Sequence, residues 1–402
     1  MLTLDLGGAA ERLAVSRFVG TLLARHGAGL GAITDVYLAS DEAVVARRAA
    51  GQWVRVTDAA GKPWVFDLER LRAFVNGIYT GQERSAQQAA WEQVLRRQGS
   101  LHPSTVLSGE VEGREVAMRV RCSIQRQQMG MGLGLVLRVL PQQVPRPEQL
   151  GLPAQLGASV LGMSHGLIVV TGPTGSGKST TLASLLEVIN EARSAHILTI
   201  EDPIEYEYER KKGVITQREM GVDVPSFAQG VKDALRFVPD AILVGETRDA
   251  DTMRAVVRAA ESGHLVMTSM HAPTTTGAIL KMRALLGDNP ADVAALASCL
   301  RAVVAQALVR DAHEQSVLVY ELLMTQDRLV QNFVASGSGN DADGVRSKLA
   351  SRGLPGSVSW QERLRELVRA QRLSPQQAAQ LALTREEGAE FLRPAQMPPR
   401  SV

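Results

Sequence analysis

Gly172-Pro173-Thr174-Gly175-Ser176-Gly177-Lys178-Ser179-Thr180 decides how this chain is read. It fits G-x-x-x-x-G-K-[ST], and its flanks suit the pattern. Gly166-Leu167-Ile168-Val169-Val170-Thr171 before it is apolar and β-branched, which predicts a buried strand. After it, residues 179–190 place Leu182, Leu185, Leu186 and Ile189 at helical spacing. Strand, glycine loop and helix together make a phosphate cradle: glycines let backbone N–H groups turn inward, and the helix N-terminus adds positive potential. Lys178 would reach the β- and γ-phosphates, and the Ser179 hydroxyl would hold Mg²⁺. A glycine turn that binds nothing would not account for the lysine, the hydroxyl and both flanks at once. The expectation is a nucleoside triphosphate and Mg²⁺ site built on residues 172–180.

Composition bounds the rest. At 402 residues the chain exceeds one typical domain, and 45% hydrophobic residues suffice for packed cores. Its 44 basic and 42 acidic residues leave a net charge of +2, too small a field to steer it onto nucleic acid. Direct nucleic-acid binding is therefore not expected. Cys122 and Cys299 lie far apart without metal-type spacing, which fits a reduced cytoplasmic setting and argues against zinc. Met1-Leu2-Thr3-Leu4-Asp5 lacks the basic-then-apolar pattern of a signal peptide. No stretch approaches the ~20 uninterrupted apolar residues of a transmembrane helix. Any membrane role is expected to run through a partner.

Along the chain, residues 1–140 read as a mixed α/β module. A helix is expected over 11–25 and strands at 35–38, 53–56 and 64–66. Helices at 68–79 and 89–97 and strands at 116–124 and 133–140 complete the module. Residues 141–155 carry four prolines and read as a linker. From 156 to 335 helices alternate with apolar strands, as a parallel sheet requires, with strands at 167–171, 197–200, 241–244, 265–269 and 317–320. Ser336-Gly337-Ser338-Gly339-Asn340-Asp341 breaks that order, and 336–402 is expected to be a helical region. Its start signals are the pairs Ser359 and Glu362, Ser374 and Gln377 with Pro375 at the first helical position, and Thr384 and Glu387. Leu364, Leu367 and Val368 give it an apolar stripe for docking.

Three further boxes carry chemistry. Strand 197–200 runs into Glu201-Asp202-Pro203-Ile204-Glu205, acids at a strand's carboxyl end where they can hold Mg²⁺ through water or polarise one. An acid cluster alone is more often a solvated turn. Ala241-Ile242-Leu243-Val244-Gly245-Glu246 is an apolar strand followed by an acid, the mechanical form of a Walker B element. Glu246 would orient water or join the metal shell. Leu265-Val266-Met267-Thr268-Ser269 has a histidine near each end. His271, on the carboxyl side, is the candidate for sensing the γ-phosphate, whereas His264 more plausibly holds a turn.

Taken in order, four boxes resemble the motor ATPase superfamily of type II secretion, type IV pili and conjugation: GPTGSGKSTT (172–181), TIEDPIEY (199–206), PDAILVGETRD (239–249) and SGHLVMTSMHA (262–272). The resemblance is specific over about 156–335 and is similar to the type IV pilus retraction ATPase (PilT-like) branch. It implies a RecA-like P-loop ATPase domain with a parallel-rich sheet, a smaller PAS-like α/β domain before it and a helical tail after it. It implies that Glu201, Asp202 and Glu205 form the Asp box, with Asp202 and Ser179 near Mg²⁺. It makes Glu246 the catalytic acid and His271 the His-box residue. It also implies that arginines among Arg119, Arg126 and Arg138 reach the nucleotide, without deciding which. A cytoplasmic homohexamer acting on an inner-membrane platform protein, and peripherally bound there, is the implied assembly. Two departures stand out. Leu329-Val330-Gln331-Asn332-Phe333-Val334 lacks the charges of the branch's AIRNLIRE-type motif, and Met129-Gly130-Met131-Gly132 is unusual. A conjugation or type IVB secretion ATPase, and a non-hydrolysing regulator of a paralogous motor, remain rival readings. A RecA-like nucleic-acid motor is disfavoured by the missing basic aromatic surface.

Overall fold

A computed structural model of the chain describes residues 2–3, 14–26, 33–48, 52–80, 88–111, 114–141, 143–287, 289–311 and 315–392. The chain divides into two compact units, Met1–Gln142 and Gln143–Val402.

The first unit runs β1 (Leu2–Thr3), α1 (Val15–His26), β2 (Ile33–Ala39), β3 (Val45–Arg48), β4 (Trp53–Thr57), α2 (Leu68–Thr80), α3 (Gln88–Gln98), β5 (Ser100–Leu101), β6 (Ser104–Val111), β7 (Arg114–Gln127) and β8 (Gly132–Val139). One sheet collects the strands in the order β1-β4-β3-β2-β8-β7-β5, with β6 also paired to β7. Strand β7 shows why these residues form a sheet with one wet face. Met118, Val120, Cys122 and Ile124 are buried, and the residues between them point outward. Helix α1 lays Phe18, Val19, Leu22 and Leu23 on the dry face. Its approach is so close that a Cβ at Gly20 would sit 2.1 Å from the Ser108 carbonyl oxygen, so a glycine is required there.

One expectation for this unit changes, and part of another lies outside the described residues. The first three residues of the expected helix at 11–25 lie outside the described residues, and the helix is seen from Val15. Residues 64–66 form isolated bridges, Ala43 to Val65 and Ser40 to Phe66, instead of a strand. Pro63 has no N–H to give a ladder, and Trp64 and Phe66 fold inward against Phe18. Strands β3 and β6 carry too many polar or small residues to be legible as strands beforehand.

The second unit runs α4 (Ala154–Gly162), β9 (Gly166–Thr171), α5 (Lys178–Ala192), β10 (His196–Glu201), β11 (Val214–Glu219), α6 (Phe227–Ala234), β12 (Ala241–Val244), α7 (Ala250–Glu261), β13 (Leu265–Met270), α8 (Thr275–Leu286), α9 (Pro290–Cys299), β14 (Leu300–Arg310) and β15 (Ser316–Met324). Helices α10 (Arg328–Ser336), α11 (Gly339–Ala350), α12 (Trp360–Arg369), α13 (Pro375–Leu381) and α14 (Arg385–Leu392) follow. The sheet order is β11-β10-β12-β13-β9-β14-β15, parallel throughout except for the final β14–β15 pair. Every residue of β9, β12 and β13 is buried, as a parallel sheet covered on both faces demands. Helices α4 and α5 pack on one face, and α6 through α11 cover the other. This is the expected α/β class, with a parallel-rich sheet and a helical C-terminal region. The parallel register brings the carboxyl ends of β9, β10, β12 and β13 to one edge, where ligands bind in such sheets.

Two strands of this sheet were not expected. Strand β11 is a polar edge, and β14 (Leu-Arg-Ala-Val-Val-Ala-Gln-Ala-Leu-Val-Arg) is too alanine-rich to announce itself. The proline-rich stretch at 141–155 packs into the unit from 143 onward, with Leu152 in the core. Residues 336–341 make a helix-to-helix turn: Gly337 is left-handed at φ 66°, and Ser338 caps α11. Among the described residues no helix is long and apolar enough to cross a membrane.

The tail helices dock on β15 through Leu364, Leu367, Trp360 and Leu373. A Ser374–Gln377 capping box forms with both hydrogen bonds, as does the Thr384–Glu387 pair. Ser359 accepts from the Glu362 N–H. Beyond the sheet's end, Arg372 Nε donates to the buried Asp311 carboxylate at 2.8 Å. Replacing the fully buried Leu364 with alanine should lower stability by about 2–5 kcal/mol, read as an earlier urea-unfolding midpoint for the tail's docking.

Candidate functional site

Between β9 and α5 the chain makes its turn on three glycines with positive φ: Gly172 at 150°, Gly175 at 78° and Gly177 at 84°. A Cβ at Gly172 would lie 2.2 Å from the Gln306 carbonyl oxygen, so the loop hugs β14. Lys178 opens α5 and donates through Nζ to the carbonyls of Gly172 and Pro173, both at 3.0 Å. Burial pulls its ammonium below the usual lysine value, while the charges of Glu246 and Glu205 work the other way. The lysine and these two acids thus share one electrostatic site. Ser179 and the loop tip at Pro173, Thr174 and Gly175 are exposed, and the Ser176 hydroxyl is buried without a hydrogen-bond partner.

Glu246 stands just beyond β12. Its carboxylate receives Arg248 Nη2 at 2.7 Å on one oxygen and faces His271 Nε2 at 3.1 Å on the other. Burial pushes the carboxyl up, but the Arg248 hydrogen bond and the charges of Arg248, His271 and Lys178 outweigh it, leaving it below the ordinary 4.5. It is therefore ionised at neutral pH. Any stability it adds is present above pH 4.5 and disappears as pH falls through its lowered folded value. His271 follows β13, and its carbonyl accepts from Lys281 Nζ at 2.8 Å, tying the His box to α8. The N-terminus of α8 is tied in turn to the sheet: the buried Glu321 of β15 accepts from the Thr275 N–H at 3.2 Å and its hydroxyl at 2.6 Å.

The acids after β10 divide by environment. Glu201 is buried, and Oε1 accepts from Thr199 Oγ1 at 2.8 Å and Gln217 Nε2 at 3.2 Å. Burial raises its pKa against these bonds. Such a carboxyl braces the turn. Asp202 is exposed, and its charge is felt by Arg248. Glu205 is half-buried near Lys178. The neighbouring Tyr206 donates its hydroxyl to Thr180 Oγ1 at 3.1 Å, binding this segment to α5. The structure therefore brings Lys178, Glu205, Glu246 and His271 together, with Asp202 beside Arg248, and sets Glu201 behind them.

The arginine candidates lie on the first unit's sheet. Arg138 Nε donates to the buried Asp35 at 2.7 Å across the β2–β8 pair. Arg126 Nη2 reaches the Gly130 carbonyl at 3.2 Å, and Arg119 sits opposite Val106 in the β6–β7 ladder. Arg248, Tyr206, Lys281, Gln306 and Glu321 were missed by sequence reading. Arg248 and Tyr206 lay inside quoted boxes, whereas the others carry no local signal.

The loop fits a polyphosphate: positive-φ glycines free N–H groups, a helix begins at its rim, and an ammonium stands over it. For Mg²⁺, the exposed Ser179 hydroxyl and Asp202 carboxylate would serve as oxygen donors. No group of three or more acid, histidine or cysteine ligands occurs among the described residues.

The family described as Type II/IV secretion system protein matches residues 86–395, more than half of the chain. The chain belongs to this family. Within it the chain falls in the PilT-like branch of secretion and pilus ATPases. It superposes on the crystal structure of the pilus retraction motor PilT with bound ADP at a TM-score of 0.77 and 28% identity, covering 94% of this chain and 99% of that one. It is 37% identical to the type IV pilus retraction ATPase PilT of Pseudomonas aeruginosa over 239 residues, 56% of this chain and 68% of that protein. It is also 44% identical over 211 residues to YggR of Escherichia coli strain K12, an uncharacterized protein. That match spans 51% of this chain and 63% of YggR, so the chain aligns with under two thirds of that relative.

Exchanging Arg248 for glutamine should raise the Glu246 titration midpoint, because burial then acts with less opposition. Carboxyl ¹³C NMR of the labelled protein would register the upward shift; an unmoved midpoint would show that Arg248 does not hold the charge.

Proposed function

We propose that this chain hydrolyses ATP and converts the cleavage into mechanical work for a retraction-type motor of a type IV pilus. The observation that carries the reading is the ionised Glu246, bonded to His271 and within the field of Lys178, at the carboxyl edge of a parallel sheet. The extended likeness to an ADP-bound retraction motor supports it.

Each residue then has a task. The backbone N–H groups of Gly175, Gly177 and Lys178, with the Lys178 ammonium, bind the β- and γ-phosphates. Ser179, with Asp202 through water, would hold Mg²⁺, which supplies charge neutralisation on the phosphate oxygens. Glu246 orients the attacking water and takes its proton as that water's oxygen bonds to the γ-phosphorus and ADP leaves. His271, bonded to the other Glu246 oxygen, follows the resulting change of charge. Glu201 and Tyr206 keep the Asp box rigid beside α5. The working form is a cytoplasmic homohexamer bound peripherally at the inner membrane through a platform protein, with no direct nucleic-acid contact. Membership of a family of type II/IV secretion system proteins supports that assembly.

Lys178→Ala should abolish ATP binding in calorimetry, since it removes the cation over the loop. Glu246→Gln should retain ATP affinity while cutting turnover by about 10²–10⁴-fold, the usual worth of a general base. Wild-type turnover in the glutamine variant would remove the base assignment. In the cell, deletion should leave piled-up, immotile pili; intact twitching with lost DNA or effector transfer would move the motor to a conjugation or secretion machine.

A further inference from the structure

Strand β14 contributes nothing to the four boxes, yet its Gln306 touches the phosphate loop at several points. The side chain is buried and engaged at both ends: Nε2 donates to the Ser176 carbonyl at 2.7 Å, and Oε1 accepts from Thr181 Oγ1 at 2.9 Å. The Ser176 carbonyl can only accept, so it selects the amide's nitrogen, and the Thr181 hydroxyl takes the oxygen. The backbone carbonyl of the same glutamine occupies the place of a side chain at Gly172, and a Cβ on Gly177 would meet Nε2 at 3.4 Å. One residue therefore contacts the loop's first glycine, its fifth residue and the first turn of α5.

In a trans peptide unit the carbonyl and the following N–H point in opposite directions. Drawing the Ser176 C=O toward β14 consequently turns the Gly177 N–H away from β14, to the loop's open side. Left to itself, a peptide between a serine and a left-handed glycine is free to flip, because glycine tolerates both orientations. We propose that Gln306 is a positioning residue of the nucleotide site: it locks the 176–177 peptide in the orientation that offers its N–H to a phosphate. Through Thr181 it also fixes the loop to α5. The assignment rests on the reading of residues 172–180 as a nucleotide cradle.

The test measures ADP binding by calorimetry, the melting temperature of the nucleotide-free full chain, and KM against kcat for ATP. The proteins are wild type, Gln306→Glu, Gln306→Leu and Thr181→Val. Gln306→Glu keeps shape and the acceptor for Thr181 but sets an oxygen against the Ser176 carbonyl. It should weaken ADP binding about tenfold or more at pH 8, the loss expected when a buried acceptor is left unmade. Its deficit relative to wild type should shrink toward acid pH, where the introduced carboxyl regains a proton to donate. Gln306→Leu should show the deficit at every pH, and Thr181→Val a smaller one; KM should rise more than kcat falls. Should Gln306→Leu melt far below wild type, the isosteric Gln306→Glu carries the comparison. ADP affinities within twofold of wild type would overturn the assignment, as would lower melting temperatures with unchanged affinity. Wild-type chain that binds no ADP would overturn the nucleotide reading itself and this assignment with it.

Discussion

The turn from β9 into α5 has to satisfy two opposed demands: its N–H groups must stand free on one side while its carbonyls are held on the other. Glycine meets the first demand and cannot meet the second, since conformational freedom is what a fixed orientation lacks. The holding is done from outside the loop. Lys178 uses two loop carbonyls, and β14 presses against Gly172 and takes the Ser176 carbonyl. The rest of the site is arranged around that turn by the parallel register, which delivers Glu246, His271 and the Asp box to one edge of the sheet.

Electrostatics divides the acids at that edge into kinds that a sequence does not distinguish. Glu201 ends one buried strand and Glu246 stands just beyond another, yet burial dominates the first, whereas cationic neighbours together outweigh it at the second. The first braces a turn through Thr199 and Gln217, and the second keeps its charge in the presence of Lys178, Arg248 and His271. Glu205 and Glu246 together outweigh the single charge of Lys178, and the Arg248 guanidinium bonded to Glu246 offsets the second carboxylate.

What the sequence disclosed was whatever repeats a local rule. The strand–loop–helix around residues 172–180 combines a spacing motif with two periodicities, β12 is a continuous apolar run, and β13 opens on one. The tail's helix starts were written in capping pairs and appear as hydrogen bonds. What stayed hidden depends on distant neighbours. β14 is alanine-rich, so its own residues do not choose between helix and strand, and pairing with β9 and β15 makes the choice. Residues 64–66 looked like a strand because they alternate, but the proline before them and the aromatic core beneath them prevent a ladder. Gln306 and Glu321 gave no signal because each acts on a segment far away in the chain.

The antiparallel β14–β15 hairpin has a consequence of its own. Gln306 pairs with Tyr320, and Ala305 pairs with Glu321, so Gln306 and Glu321 emerge on opposite faces of the same ribbon. One steadies the loop beneath α5, and the other pins the start of α8 behind His271. The ribbon works as a keel between two halves of the chemistry, and its alignment is a functional coordinate. A slip by one residue would swap inside for outside at both points at once, loosening the loop and the mounting of His271 together.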